Sequence, residues 1–273
     1  MSLFTPESSL FLRTEQCLNA QDPDLKVSLT RALYKDWCAG KLEIDRSFIA
    51  EEIAEVGRPE QPELVASRDV PKRSINTDEG RVILCHAIAH IEFNAINLAL
   101  DAAYRFTDMP EDYYRDWLKV ASEEAYHFTL LEKYLHKRNA KYGDYDAHNG
   151  LWEMAQLTAH DVMIRMALVP RVLEARGLDV TPGILKKLAQ QKDEEFIGYL
   201  EIIHKDEIGH VAIGSRWYKF MCEKRELNPR QTFKQLIEDY MNGSLRGPFD
   251  EVARLQAGFT QQEIADLKAL EIN

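Results

Sequence analysis

The chain has 273 residues, 45% of them hydrophobic, which is enough to bury a substantial core as one large domain or one domain with extensions. Its formal charge of −11 argues against general binding to nucleic acid or to an acidic membrane surface. Four cysteines (Cys17, Cys38, Cys85 and Cys222) show no Cys-x-x-Cys spacing, which excludes a zinc ribbon or rubredoxin-type iron site and fits reduced thiols in a cytosolic protein.

The start, Met1-Ser-Leu-Phe-Thr-Pro6, carries no basic stretch leading into an apolar one, so no targeting segment is expected. No run of about 18 uninterrupted apolar residues follows either, so a cytoplasmic protein without a membrane span is expected. Residues 8–20 and 24–39 read as helices, with a weaker helical stretch over 46–56. Pro59, Pro62 and Pro71 predict an extended surface course through 57–73. Thr77-Asp78-Glu79 opens a long helix over about 78–106, and Pro110 with two acidic residues opens a second over about 110–138. A polar, turn-rich segment fills 139–150. A third helix starts near Leu151 and is expected to end at Gly177, after which Thr181-Pro182 caps a short helix. The fourth long helix covers about 193–222. Asn228-Pro229 starts another, and the capping box Thr260-x-x-Glu263 opens the last. Three segments follow: a helical extension over 1–73, a bundle over 74–222 and a helical extension over 223–273.

One pattern occurs twice in the four long helices. Glu92 precedes Glu124-Ala-Tyr-His127 by 32 positions, and Glu174 precedes Glu207-Ile-Gly-His210 by 33. Residues three apart share a helix face, so each Glu-x-x-His aims a carboxylate and an imidazole the same way. With 26 Glu and 8 His a single such match carries little, and a third does occur at Glu201-Ile-Ile-His204. The paired spacing is harder to obtain by accident, because it must agree with the length of a helical hairpin.

The plain alternative is a set of solvated Glu and His on amphipathic helices, and the neighbouring residues argue against it. In steps of three and four, Glu92 is flanked by Cys85, Ile88, Ala89, Ile96 and Ala99, and Glu124 by Trp117, Val120, Ala121, Phe128 and Leu131. Glu207 is flanked by Leu200, Ile203, Val211 and Gly214. A carboxylate within an apolar stripe is costly unless it is paired or binds metal, and few Lys or Arg lie on these stripes. Four carboxylates and two imidazoles form the ligand set with which ferritin-like four-helix bundles hold two metals.

Lengths agree with that architecture. A tight turn after the first long helix brings Glu92 and Glu124 level, and the 12 residues of 139–150 can span about 40 Å as a single long crossover. The third helix fits less well, because Pro170 lies one turn before Glu174 and should kink or loosen it. Glu153 and His160 are therefore kept as substitutes for Glu174. His86 and His90 lie on a face rotated away from Glu92 and read as hydrogen-bonded structural or surface residues. Tyr126, Tyr199, Trp117, Met163 and Met166 read as packing.

Over roughly 68–218 the chain resembles the ferritin-like di-iron carboxylate superfamily, and more closely a bacterial family of uncharacterised ferritin-like proteins. The resemblance is carried by Arg68-Asp-Val-Pro-Lys-Arg-Ser, Ala89-His-Ile-Glu-Phe-Asn-Ala-Ile-Asn, Ala121-Ser-Glu-Glu-Ala-Tyr-His-Phe, Ala175-Arg-Gly-Leu-Asp-Val-Thr-Pro and Lys205-Asp-Glu-Ile-Gly-His-Val. It implies an all-α fold and a site for two metals (two Fe, or Fe/Mn or Mn/Mn) on Glu92, Glu124, His127, Glu174, Glu207 and His210. It also implies that the acidic residues before each Glu-x-x-His, Glu123 and Asp206, hydrogen-bond a ligand histidine on the facing helix and so fix its tautomer. Some similar oxygenases carry a further histidine on the last bundle helix, which makes His204 a candidate extra ligand, with a core histidine as the alternative.

Three functions are compatible with such a site. The first is an oxidoreductase that activates dioxygen or peroxide toward a small-molecule substrate and is reset by an electron donor. The second is iron handling, by ferroxidase activity or peroxide removal. The third is a structural module. Storage ferritins usually lack the second complete Glu-x-x-His and are shorter, whereas roughly 70 residues before the bundle and 50 after it are available here to shape a pocket. The first function is expected. Similarity to di-iron tRNA hydroxylases is set against by the acidic chain.

Overall fold

The computed structural model describes residues 7–71, 74–243 and 245–272. Residues 1–6, read above for a targeting segment, and Lys72 and Arg73, part of the first resemblance segment, lie outside them. The described chain is all-helical apart from two two-residue strands. It divides into two compact units, Met1–Glu153 and Met154–Asn273, with α5 (Gly150–Leu157) straddling the division.

Unit 1 is built from α1 (Leu10–Asn19), α2 (Pro23–Cys38), α3 (Asp78–Arg105) and α4 (Glu111–His136). Local chemistry sets their starts. Ser9, Asp22 and Thr77 each accept a hydrogen bond from a backbone N–H of the first turn, and Pro23 occupies the position where its missing N–H costs nothing. The helix α3 packs along α4, with α1 against α3 and α2 against α4. Residues over 28 positions of α3 are buried on nearly every side, including Leu84, Phe93, Ile96, Leu100 and Tyr104. This helix is long and apolar enough to cross a membrane by length and composition, although no uninterrupted apolar run marks it in the sequence, and 83% of its most apolar window is buried against protein.

The weak helix expected over 46–56 does not form. Its backbone is taken by other partners: Ser47 N–H donates to the Asp45 side chain, Glu51 N–H to the Tyr104 hydroxyl, and the Ala54 carbonyl accepts from Trp152 Nε1. The segment 57–71 runs extended with one short 3₁₀ turn, Ser67–Asp69, as its prolines require.

Unit 2 contains α6 (Val162–Leu168), a π-helical segment (Val169–Glu174), α7 (Ala175–Gln191), α8 (Glu194–Lys224), α9 (Pro229–Met241), α10 (Glu251–Gln256) and α11 (Gln261–Ala269). A parallel pair of strands, β1 (Leu245–Arg246) and β2 (Glu271–Ile272), ties the ends of the C-terminal segment together. The expected third helix is broken. Thr158 turns its hydroxyl back onto the Met154 carbonyl, and Asp161 caps α6 by accepting from Met163 and Ile164 N–H.

Pro170 loosens the helix as expected, and the result is a π-helical turn rather than a kink. Gly214 on α8 accommodates the ring: a Cβ there would lie 2.4 Å from Pro170 Cβ and Cγ. Gly177 does not end the helix, and Thr181-Pro182 does not start one. A glycine terminates a helix by taking positive φ, which Gly177 does not, so α7 runs on through Pro182 to Lys192 at φ 56°. Burial of Ala175, Leu178 and Leu188 along α7 outweighs the hydrogen bond that Pro182 removes. The capping box at Thr260 and Glu263 and the Asn228 cap form as expected, whereas α10, capped by Asp250, is not expected from the sequence.

Candidate metal centre

In unit 1, α3 and α4 bring Glu92, Glu124 and His127 together in the interior. The three are 3%, 1% and 0% exposed, and their ligand atoms all lie within 4.8 Å of one another. His127 Nδ1 is 3.2 Å from Glu92 Oε2 and 3.4 Å from Glu124 Oε2, so as an N–H donor it is shared between two carboxylates. The Glu124–His127 contact follows from the i,i+3 spacing on α4, and the Glu92 contact from the packing of α3 along α4. Burial, reinforced by the neighbouring Glu124 carboxylate and opposed by His127, pushes the Glu92 carboxyl up to about 8. Without a cation, this pocket therefore favours a proton on Glu92. Two buried carboxylates and an imidazole converging at ligand distance are a donor set that suits a divalent cation, which offsets the burial and the repulsion that raise Glu92.

In unit 2, Glu207 and His210 are buried on α8, with His210 Nδ1 3.8 Å from Glu207 Oε2. Glu174 is the last residue of the π-helical segment; it is half-buried, and its Oε2 is closed to solvent. The substitutes considered for it are both exposed. Glu153 lies on the surface of α5, and His160 meets the Tyr240 hydroxyl at 3.4 Å. His204 is half-buried, its Nδ1 has no hydrogen-bond partner among the described residues, and burial lowers its pKa against the pull of Asp250.

Of the two acidic residues preceding the Glu-x-x-His pairs, Glu123 places both carboxylate oxygens 2.6 Å from Lys119 Nζ, one turn away on the same helix, and Asp206 is half-buried. His86 and His90 are buried structural residues of unit 1. His86 Nε2 accepts from Gly143 N–H, and His90 contacts the Tyr142 hydroxyl and the His148 carbonyl. Trp117, Met163 and Met166 are buried as packing residues should be, but Tyr126 is 41% exposed. Nothing in the sequence marks Lys26, and Asn97 enters only as the end of one resemblance segment, yet both are completely buried in unit 1 and hydrogen-bonded to each other. Only tertiary placement reveals such a pair, since α2 and α3 carry them 71 residues apart.

Residues 19–265 match the family described as "Protein of unknown function (DUF455)", nearly the whole chain. The chain belongs to the DUF455 family. The match runs well beyond the 68–218 covered by the resemblance read from motifs, and it takes in α2, α9 and α10 on its flanks. A Haemophilus influenzae protein, named only as an uncharacterized protein, is 53% identical over 213 residues, which is 76% of this DUF455 chain and 74% of that relative. No solved structure matches the chain.

Proposed function

We propose that this DUF455 protein is a di-metal carboxylate oxidoreductase, with two irons (or Fe/Mn or Mn/Mn) in a ferritin-like four-helix bundle with one long crossover. Its reactants would be dioxygen or peroxide, a small-molecule substrate and an electron donor. The observation that supports it most directly is the buried Glu92–Glu124–His127 convergence, with Glu92 held protonated to about pH 8 by its surroundings. In this reading Glu174, Glu207 and His210 supply the matching half of one centre, and Glu123 and Asp206 orient its histidines. Such ions, when bound, supply redox chemistry toward dioxygen or peroxide.

The chain's own contribution is electrostatic and steric. Four carboxylates balance two divalent charges in a low-dielectric interior, and loading requires the Glu92 proton to leave, so metal uptake is expected to strengthen toward pH 8. Burial of Glu92, Glu124, His127 and His210 keeps bulk water from these ligands.

Metal analysis of natively expressed protein under iron-replete conditions tests the reading. About two transition metals per chain are expected, and fewer than half a metal in well-folded protein would overturn it. After reduction, oxygen should oxidise about two irons per chain and then stop, because no donor resets the site. Sustained consumption of ferrous ion with a growing ferric mineral would replace this reading with iron storage.

A further inference from the structure

The chain contains the dipeptide Asn-Gly twice, at Asn149-Gly150 and at Asn242-Gly243. In such a pair the backbone nitrogen of the glycine can attack the side-chain amide of the asparagine, because glycine has no Cβ to shield that nitrogen. The attack also needs a base to take the nitrogen's proton. By exposure alone Asn242 is the better candidate, since it is exposed and Asn149 is half-buried. Local bonding reverses that order.

Gly150 is the first residue of α5, and the N–H groups of a first helical turn have no partner within the helix. Its N–H donates instead to an imidazole, His148 Nδ1, at 3.2 Å. Nδ1 is therefore the unprotonated ring nitrogen, a base already in contact with the nucleophile. The backbone around His148 is fixed: its carbonyl meets His90 Nε2 at 3.1 Å. Beside it, Ala147 N–H donates to the Glu63 carbonyl at 3.0 Å, and the Ala147 carbonyl accepts from Val65 N–H at 2.8 Å. Only a glycine suits position 150, because a Cβ there would lie 3.2 Å from His148 Nδ1. The Asn149 carbonyl accepts from Glu153 N–H, but its side-chain amide forms no hydrogen bond among the described residues that would resist rotation onto Gly150 N. At the second dipeptide, Gly243 N–H donates to the Ile237 carbonyl at 3.2 Å, behind the end of α9. A carbonyl in that place holds the nitrogen without offering it a base.

We propose that Asn149-Gly150 is a self-modification site, at which His148 acts as general base for deamidation of Asn149. Gly150 N–H gives its proton to His148 Nδ1 as the nitrogen bonds to Asn149 Cγ. The Cγ–Nδ2 bond then breaks, and the amide nitrogen leaves as ammonia with the proton that His148 returns. Water opens the resulting cyclic imide at either carbonyl, giving aspartate or β-linked isoaspartate at position 149. Aspartate puts a negative charge at the N-terminal end of α5, where the helix dipole favours it. The β-linked product adds a methylene to the backbone between the crossover and α5. Neither step uses a metal, so this assignment stands apart from the metal reading.

Peptide mass spectrometry of the full-length protein, incubated at neutral pH in water carrying heavy oxygen, tests it. Label should enter position 149 at least about tenfold faster than position 242, less than the full effect of a positioned base because Asn149 is half-buried. In protein unfolded by urea the two rates should become similar, since the imidazole contact is lost. His148→Gln, with its fold checked by circular dichroism, should slow labelling at 149 at least about tenfold and leave 242 unchanged. Labelling at 149 no faster than at 242 in the folded protein, the same excess at 149 in urea, or unchanged labelling in folded His148→Gln overturns the proposal.

Discussion

The two halves of the sequence repeat are built on different backbones. In unit 1, Glu92 sits in the middle of a 28-residue uninterrupted helix, and α4, a second uninterrupted helix of 26 residues, presents Glu124 and His127 against it. In unit 2, Glu174 ends a π-helical turn that contains a proline and follows a broken helix. The first half is held by apolar packing along α3 and α4. The second is fastened by buried charge: Arg171, in the π-helical turn, donates to Glu263 at 2.6 Å and to Ser215 Oγ at 3.2 Å, inside a ring of Tyr218, Phe233 and Phe259. Arg254 clamps Asp179 of α7 with two hydrogen bonds, at 2.9 and 2.7 Å. Similar Glu and Glu-x-x-His spacings in the sequence are therefore carried by a regular hairpin in one unit and by an irregular segment cross-linked by ion pairs from the C-terminal helices in the other.

The largest expected effect tests that cross-linking. Glu263→Gln leaves the Arg171 guanidinium buried without its carboxylate and is expected to destabilise the protein by about 3–5 kcal/mol in denaturant unfolding. A loss below about 1 kcal/mol would mean that aromatic packing around Arg171, and not the ion pair, holds the turn. Asp206→Ala should weaken metal retention by roughly 10–100-fold with helicity unchanged, as measured by competition with a chelator. Unchanged retention would make Asp206 a surface acid and leave the second half without a residue to orient a histidine.

Gly214→Ala forces a methyl group against the Pro170 ring and should cost about 1–3 kcal/mol. Adding Pro170→Gly, which removes both the Cβ and the Cγ that the methyl would meet, should recover part of that loss, and additive losses in a double-mutant cycle would rule the contact out as the cause. The smallest effect lies in unit 1. Burial, with Asp24 and Asp22 nearby, pushes the Glu132 carboxyl up to about 7. A carboxyl raised in the folded state makes stability fall as pH rises from about 4.5 toward 7 and beyond, because folding then holds a proton that the unfolded chain has released. Glu132→Gln should abolish that dependence and stabilise the protein at pH 8, relative to pH 5, by about 1–2 kcal/mol after allowance for its partial exposure. A pH profile parallel to that of the natural chain would remove Glu132 from the account.

Most of the helices were legible because their signals are local. Thr77, Asn228 and Thr260 cap the helices they were expected to open, and the apolar stripes around Glu92, Glu124 and Glu207 place those carboxylates in the interior. Signals that depend on a distant partner were misread. Gly177 and Pro182 look like a stop and a start, yet buried contacts along α7 carry the helix through both. Residues 46–56 have helical pattern, but Tyr104 and Trp152 take their backbone groups.

The sequence by itself determined the all-helical class, the ligand-type residues and their burial, since helix periodicity and capping act within a few residues. Tertiary structure alone decided that His127 stands between two carboxylates, that Pro170 is absorbed in a π-helical turn opposite Gly214, and that Lys26 and Asn97 meet. Each of those depends on residues tens of positions apart, brought together by packing, and no local spacing encodes it.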